Sequence, residues 1–158
     1  MSAIDRKGVI VPCASCGQQN RLAFAALGKP SRCGKCKTAI TAPAEPIEVP
    51  DDATFDALAS SSDLPLIIDF WAPWCGPCRA VAPEIQRVAR EAQGRFLVVK
   101  VNTDELTNVA ARFRISSIPT LAIVNRGQEL QRVAGARPAR EILAFAQSAV
   151  ADFERRAS

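Results

Sequence analysis

Six cysteines in a chain of 158 residues fall into three pairs of identical spacing: Cys13 and Cys16, Cys33 and Cys36, Cys75 and Cys78. A Cys-x-x-Cys pair supports two chemistries. Along one turn of helix the two Cβ atoms lie roughly 5–6 Å apart, which modest backbone adjustment converts into a disulfide. Wrapped around a tight turn, the same two sulfurs converge on one metal ion. The flanking residues separate the cases. Cys75 follows an apolar run over 66–72 and opens a helix-like run from 76 to about 94. The partial positive charge at a helix N-terminus favours a thiolate. The stretch 74–79, Trp-Cys-Gly-Pro-Cys-Arg, therefore reads as a disulfide that is made and broken, not one that staples a fold.

The other two pairs are set apart by sixteen residues, inside the zinc template of two Cys-x-x-Cys pairs with a gap of about 15–20. Gly17 and Gly34 let the backbone bend beside each pair. Large apolar residues are few there (Leu22, Phe24, Leu27), so a metal would supply most of the folding energy. The chain contains no histidine, which limits any zinc site to sulfur and carboxylate. The start of the chain carries charge with no apolar core of a signal peptide behind it. No segment reaches the ~18 apolar residues of a membrane helix. These features lead to the expectation of a cytoplasmic protein with no membrane partner, a setting in which structural disulfides are rare. Free or disulfide-bonded cysteines are the alternative; spacing and compartment favour one zinc ion on Cys13, Cys16, Cys33 and Cys36.

Charge is uneven. Residues 1–45 carry seven Lys and Arg against two acids, whereas 46–158 carry thirteen against fourteen. A basic segment invites a nucleic-acid reading. Four zinc thiolates would cancel part of the excess, and no aromatic residue beyond Phe24 interleaves it, so nucleic acid is not favoured.

The elements that must position these residues follow from periodicity. Pro43 and Pro46 mark a linker, dividing a small module at 1–45 from a larger domain at 46–158. The larger part reads as a short strand near 47–49, a helix capped by Asp51 or Asp52, and a buried strand over 66–72. Next come the helix with Val81, Ile85, Val88 and Ala92 on one face, kinked by Pro83, and a strand over 95–101. A helix with Leu106, Val109 and Phe113 leads to a strand at 120–124, a turn at 125–127, a strand at 129–133 and a last helix from near Pro138. The order β-α-β-α-β-α-β-β-α implies an α/β mixed central sheet with helices on both faces. Asp69 falls mid-strand in the 66–72 run, where desolvation favours its neutral form. A buried ionisable group so near two cysteines is a functional candidate.

The run at 71–78, Trp-Ala-Pro-Trp-Cys-Gly-Pro-Cys, resembles the active-site signature of thioredoxins, and the element order resembles their fold. Ile118-Pro119-Thr120 is similar to the family's cis-proline loop, and the run 133–136 to its glycine loop. The resemblance extends from about Ile47 to the C-terminus. In front of it, the Cys13 to Arg21 run is similar to the zinc-binding module of the thioredoxin 2 subgroup, so the small module is expected to be zinc-ribbon-like.

This resemblance implies a protein-disulfide reductase. Cys75, exposed at the helix end, would attack as the thiolate. Cys78, one turn in, would resolve the mixed disulfide. Asp69 would act as general base through a water, tuned by Lys100 on the adjacent strand. Ile118 and a cis Pro119 would present backbone to an extended substrate strand. Trp74, Gly76, Pro77 and Gly135 would form the docking rim, and Trp71 would pack against the active-site loop. Partners would be disulfide-containing proteins and an NADPH-dependent flavoprotein thioredoxin reductase, with no organic cofactor bound to this chain. The Gly-Pro between the cysteines, without histidine, favours a reductase over an isomerase or oxidase. A competing reading is a zinc-based redox or stress sensor, or a holdase-like binding module.

Overall fold

The computed structural model describes residues 2–157. Three short antiparallel strands open the chain, β1 (Ala3–Asp5), β2 (Gly8–Pro12) and β3 (Gln19–Ala23), in the order β1-β2-β3. One turn of 3-10 helix over Phe24–Ala26 leads to a second hairpin of β4 (Ser31–Arg32) and β5 (Ala39–Ile40). The two cysteine pairs occupy the loops of these hairpins. Sequence periodicity did not reveal the strands. In β3 only Leu22 is buried, between exposed Arg21 and Ala23, so the apolar alternation is too brief to read. Gly8 is required where β2 meets β3, because a Cβ there would drive into the Leu22 carbonyl.

The larger part follows the expected order: β6 (Ile47–Glu48), α1 (Asp52–Ser61), β7 (Leu66–Trp71), α2 (Gly76–Glu91), β8 (Leu97–Asn102), α3 (Thr107–Arg112), β9 (Thr120–Asn125), β10 (Gln128–Ala134) and α4 (Ala139–Ala157). The cap of α1 is Asp51, whose Oδ1 accepts from the Thr54 amide at 2.7 Å. Helix α2 continues through Pro83 to Glu91. Strand β8 begins later than 95, because the Arg95 and Phe96 amides still close the preceding turn on the Ala92 carbonyl. The five-stranded sheet has the order β10-β9-β7-β8-β6. Strands β6 and β7 run parallel to β8, while β9 is antiparallel to both β7 and β10.

Alternation along the strands divides the core. Ile67, Val98, Leu121 and Ile123 pack against Val81, Ile85 and Val88 of α2 and Ile142 and Ala146 of α4. Leu66, Ile68, Phe70, Val99 and Val101 face the other way, onto Phe55 and Leu58 of α1. That second cluster runs on without a break into Val9, Leu22, Phe24, Leu27 and Ile40, so the N-terminal segment is packed against the larger part. Polar ties reinforce the seam. The Gly28 amide donates to Asp63 Oδ1 at 2.9 Å, the Asp63 amide to the Phe24 carbonyl at 3.1 Å, and Gln93 Nε2 to the Ala42 carbonyl at 2.9 Å. None of the described helices is long and apolar enough to cross a membrane.

Candidate redox site and cysteine cage

Strand β7 ends at Trp71, and a turn closed by the Cys75 amide on the Ala72 carbonyl (3.2 Å) delivers the chain to α2. Cys75 is the N-cap, with extended backbone, and its Sγ accepts from the Cys78 amide at 3.1 Å. A sulfur placed there meets donors that a helix start leaves unpaired. Pro77 sits in the first turn, where its missing N–H removes no helical bond. Cys75 and Cys78 form a disulfide with their Cα atoms 5.3 Å apart. Both are buried, at 4 % and 5 % exposure. The expectation of an exposed Cys75 is therefore not met: in the disulfide-bonded chain both sulfurs belong to buried residues.

Several expected neighbours are brought together. Trp74 is 68 % exposed, with its indole N–H donating to Asp104 Oδ2 at 3.0 Å, and Gly76 and Pro77 are exposed beside it. The Ile118–Pro119 bond is cis, and the Ile118 carbonyl oxygen stands 3.8 Å from Cys75 Sγ. Gly135 adopts φ of +95°, open to glycine, and its amide donates to the Pro119 carbonyl at 2.8 Å. The loops before β9 and after β10 are thereby tied to one another next to the disulfide.

Asp69 lies two residues before the end of β7, on the face covered by α2. It is 1 % exposed, and its Oδ1 has no hydrogen-bond partner among the described residues. Burial raises its carboxyl from the ordinary 3.8 to about 6, against the downward pull of Lys100. Lys100 stands in register with Asp69 on β8, its ammonium 4.5 Å from the Trp71 ring centroid. Trp71 thus packs against this lysine. Sequence reasoning missed two residues. Asp104, the Trp74 partner, carries no distinguishing pattern. Glu48, in register with Lys100 from the other side, emerges only from strand pairing.

The second cluster is a cage of four thiols. Cys13 and Cys36 sulfurs are 3.6 Å apart, as are those of Cys16 and Cys33, and all four lie within 4.8 Å of one another. A tetrahedral zinc with sulfur at about 2.3 Å has edges of about 3.8 Å, so the donor set fits such an ion. The Asn20 side-chain amide and the Lys35 backbone amide donate to Cys33 Sγ at 3.5 and 3.4 Å, as expected around a metal-bound thiolate. The Cys36 amide leads the interactions that lower Cys33 to about 6. Cys16 is pushed up to about 12: the Gln18 amide lowers it, but desolvation and its three thiol neighbours outweigh that. Four thiols this close cannot all ionise without a cation between them. The left-handed positions are Gly17 and Lys37 (φ +79° and +66°). Gly34 was expected to provide the second bend; the chain instead turns after the cysteine pair, as it does at Gly17.

The thioredoxin family profile matches residues 46–148. The chain belongs to the thioredoxin family. It is 41 % identical over 129 residues to Thioredoxin C-3 of Corynebacterium nephridii, covering 81 % of this chain and 86 % of that protein. A match of that extent includes part of 1–45. Thioredoxin 1 of a Nostoc strain is 52 % identical over 87 residues, or 55 % of this chain and 81 % of that one. Among solved structures, chloroplastic thioredoxin z superposes with a TM-score of 0.61 at 32 % identity, covering 68 % of this chain and 96 % of the other. This thioredoxin is a thiol–disulfide oxidoreductase, with a mixed sheet flanked by helices and an N-terminal segment carrying the cysteine cage.

Proposed function

We propose that this thioredoxin is a general protein-disulfide reductase of the zinc-containing thioredoxin 2 subgroup. In this reading it works in the cytoplasm and is recharged by an NADPH-dependent flavoprotein thioredoxin reductase. Residues 1–45 are its zinc module and 46–158 its catalytic domain. The observation that carries the reading is the Cys75–Cys78 disulfide at the start of α2, with Cys75 Sγ held by the Cys78 amide and facing the Ile118 carbonyl.

In the reduced enzyme the Cys75 thiolate attacks a substrate disulfide, forming a mixed disulfide and expelling one substrate thiolate. Asp69 then takes the Cys78 proton through a water. The Cys78 thiolate attacks Cys75 Sγ; the Cys75–Cys78 bond forms, the bond to substrate breaks, and the second substrate thiolate leaves. Two electrons have passed from the dithiol to the substrate. An extended substrate segment pairs with the Ile118 backbone before Pro119, between Trp74, Gly76, Pro77 and Gly135.

Cys13, Cys16, Cys33 and Cys36 hold one zinc ion. Exposure of Cys16 and Cys36 favours a second reading, in which oxidation of the cage releases zinc and the module acts as a redox sensor. Insulin reduction coupled to thioredoxin reductase tests the first: Cys75→Ser drops to background, and full turnover by that variant ends the reductase reading. Zinc release under peroxide tests the second, which is abandoned if zinc stays bound and activity is unchanged.

A further inference from the structure

Three charged side chains stand in one row across the sheet. Glu48 on β6 and Asp69 on β7 are each in register with Lys100 on β8, the strand between them. In-register residues on neighbouring strands project from the same face. Exposure falls along the row: Glu48 is exposed, Lys100 half-buried, Asp69 at 1 %. The row runs from exposed Glu48 to the buried carboxyl on the face covered by α2.

Lys100 serves two carboxyls. Glu105, ahead of α3, adds negative charge near Glu48. Strand β1 packs along β6 and brings Asp5, whose carboxylate is taken by Arg21 at 2.6 Å. Strand β9, the other neighbour of β7, brings no charged residue. At the start of α2, Arg79 turns its guanidinium to the Pro73 carbonyl at 2.7 Å. Lys100 itself is steadied over the Trp71 ring.

We propose that Glu48 is a positioning residue for the proton transfer at Asp69, sharing Lys100 near and above neutral pH so that the ammonium is not wholly committed to the buried carboxylate. A carboxylate with an ammonium to itself becomes a poor base. A second carboxylate on the far side of the same lysine restores basicity. The coupling has a visible trace in the other direction. Glu48 is raised to about 7 by partial burial of its carboxyl although the residue is exposed; Lys100 and Trp71 lower it, Asp69 and Glu105 raise it. The Trp71 Nε1–H meets no acceptor at hydrogen-bond geometry, so it acts on Glu48 as a nearby dipole. Repulsion between two carboxylates is mutual, and the pair titrates as a unit.

The inference rests on Asp69 being the base for Cys78. In the resolving step the Cys78 proton moves to Asp69 and the Cys78 sulfur bonds to Cys75, releasing the substrate sulfur as a thiolate. Neutral Asp69 leaves Lys100 to Glu48, which favours ionised Glu48. The Asp69 proton then passes to solvent water, which restores the ionised base for the next cycle.

The test uses the full oxidised chain with zinc bound, following the Asp69 carboxyl carbon by NMR against pH. Glu48→Gln is expected to move the Asp69 midpoint down by about 0.3 pH unit, most in the upper half of the titration where Glu48 is ionised, and Lys100→Gln to move it up. A packing role predicts no such opposition of sign. The rate of mixed-disulfide resolution should shift its pH profile in the same two directions. An Asp69 midpoint unmoved or raised in Glu48→Gln overturns the proposal. So does wild-type resolution in Asp69→Asn, but with the NMR shifts intact, which identifies the base assignment as the part that failed.

Discussion

The cage and the redox site begin in the same way and part after four residues. In each of the three Cys-x-x-Cys runs the amide four residues on donates to the carbonyl of the first cysteine: Gly17 to Cys13 at 2.9 Å, Lys37 to Cys33 at 3.0 Å, Arg79 to Cys75 at 3.3 Å. Gly17 and Lys37 then turn left-handed, and the first-cysteine amides bond to the Gln18 and Thr38 carbonyls at 2.8 Å, sending the chain back as a second strand. Arg79 instead carries on as α2. Two knuckles facing each other place sulfur against sulfur across the pair, whereas a helix places Cys75 and Cys78 against one another. The backbone beyond the motif, not its spacing, decides whether the sulfurs converge as a set that could hold a metal or pair as a disulfide.

The largest effect expected from this contrast is on metal content. The chain as purified should carry one zinc, Cys33→Ser should lose it, and Cys75→Ser should keep it. Binding energies of about 10–16 kcal/mol for structural zinc mean that the N-terminal segment of Cys33→Ser unfolds. Metal analysis and amide hydrogen exchange over 2–40 measure both. Retention of zinc by Cys33→Ser would erase the distinction between the two sites.

The contrast was partly legible from the chain alone. A largely apolar run ending at Ala72, three residues before a cysteine, followed by Val81, Ile85 and Val88 at helical spacing, suffices to place Cys75 at a strand-to-helix junction. A cap at Asp51 or Asp52, Asp69 inside a strand and the Asn125-Arg126-Gly127 turn are equally local signals. What could not be read is what depends on pairing. The β2–β3 ladder buries only Gly8, Val9 and Leu22, and the Glu48–Lys100–Asp69 row joins residues far apart in the chain. The seam between Phe24, Leu27 and α1 is invisible because those few apolar residues look like the module's own core.

A smaller effect sharpens the electrostatics of the redox side. Asp69 has a carboxyl held at about 6 when folded against 3.8 ordinarily. With the folded value the higher, its neutral form is the favoured one. Its contribution to stability is greatest below about pH 4 and declines as pH rises through about 6. Asp69→Asn removes that decline, so the variant should gain on the order of 3 kcal/mol over the parent above pH 7 and little at pH 4. The same variant should resolve mixed disulfides about a hundredfold more slowly. Urea unfolding at the two pH values checks the sign. No such pH-dependent gain is expected from substitutions in the cage.

The smallest effect lies within the cage, where the two knuckles use different residues at the same left-handed position. Gly17 meets φ of +79° with nothing within 4 Å of a would-be Cβ, so Gly17→Ala changes only backbone strain. It should cost about 1–2 kcal/mol. Lys37 holds φ of +66° with a side chain, its Nζ donating to the Gly34 carbonyl at 3.0 Å. Lys37→Gly relieves the strain but frees more of the unfolded chain and forfeits that exposed bond. The net gain should be at most about 1 kcal/mol. Thermal melts of the zinc-bound chain rank the three proteins: Lys37→Gly at or above the parent, Gly17→Ala below it. Insulin reduction should be the same in all three, since strain at the knuckles is not shared with the cap at Cys75. A loss of turnover in Gly17→Ala at full zinc occupancy would show that the cage and the redox site are coupled through the seam at Phe24 and Asp63, and would make their difference one of arrangement rather than of independence.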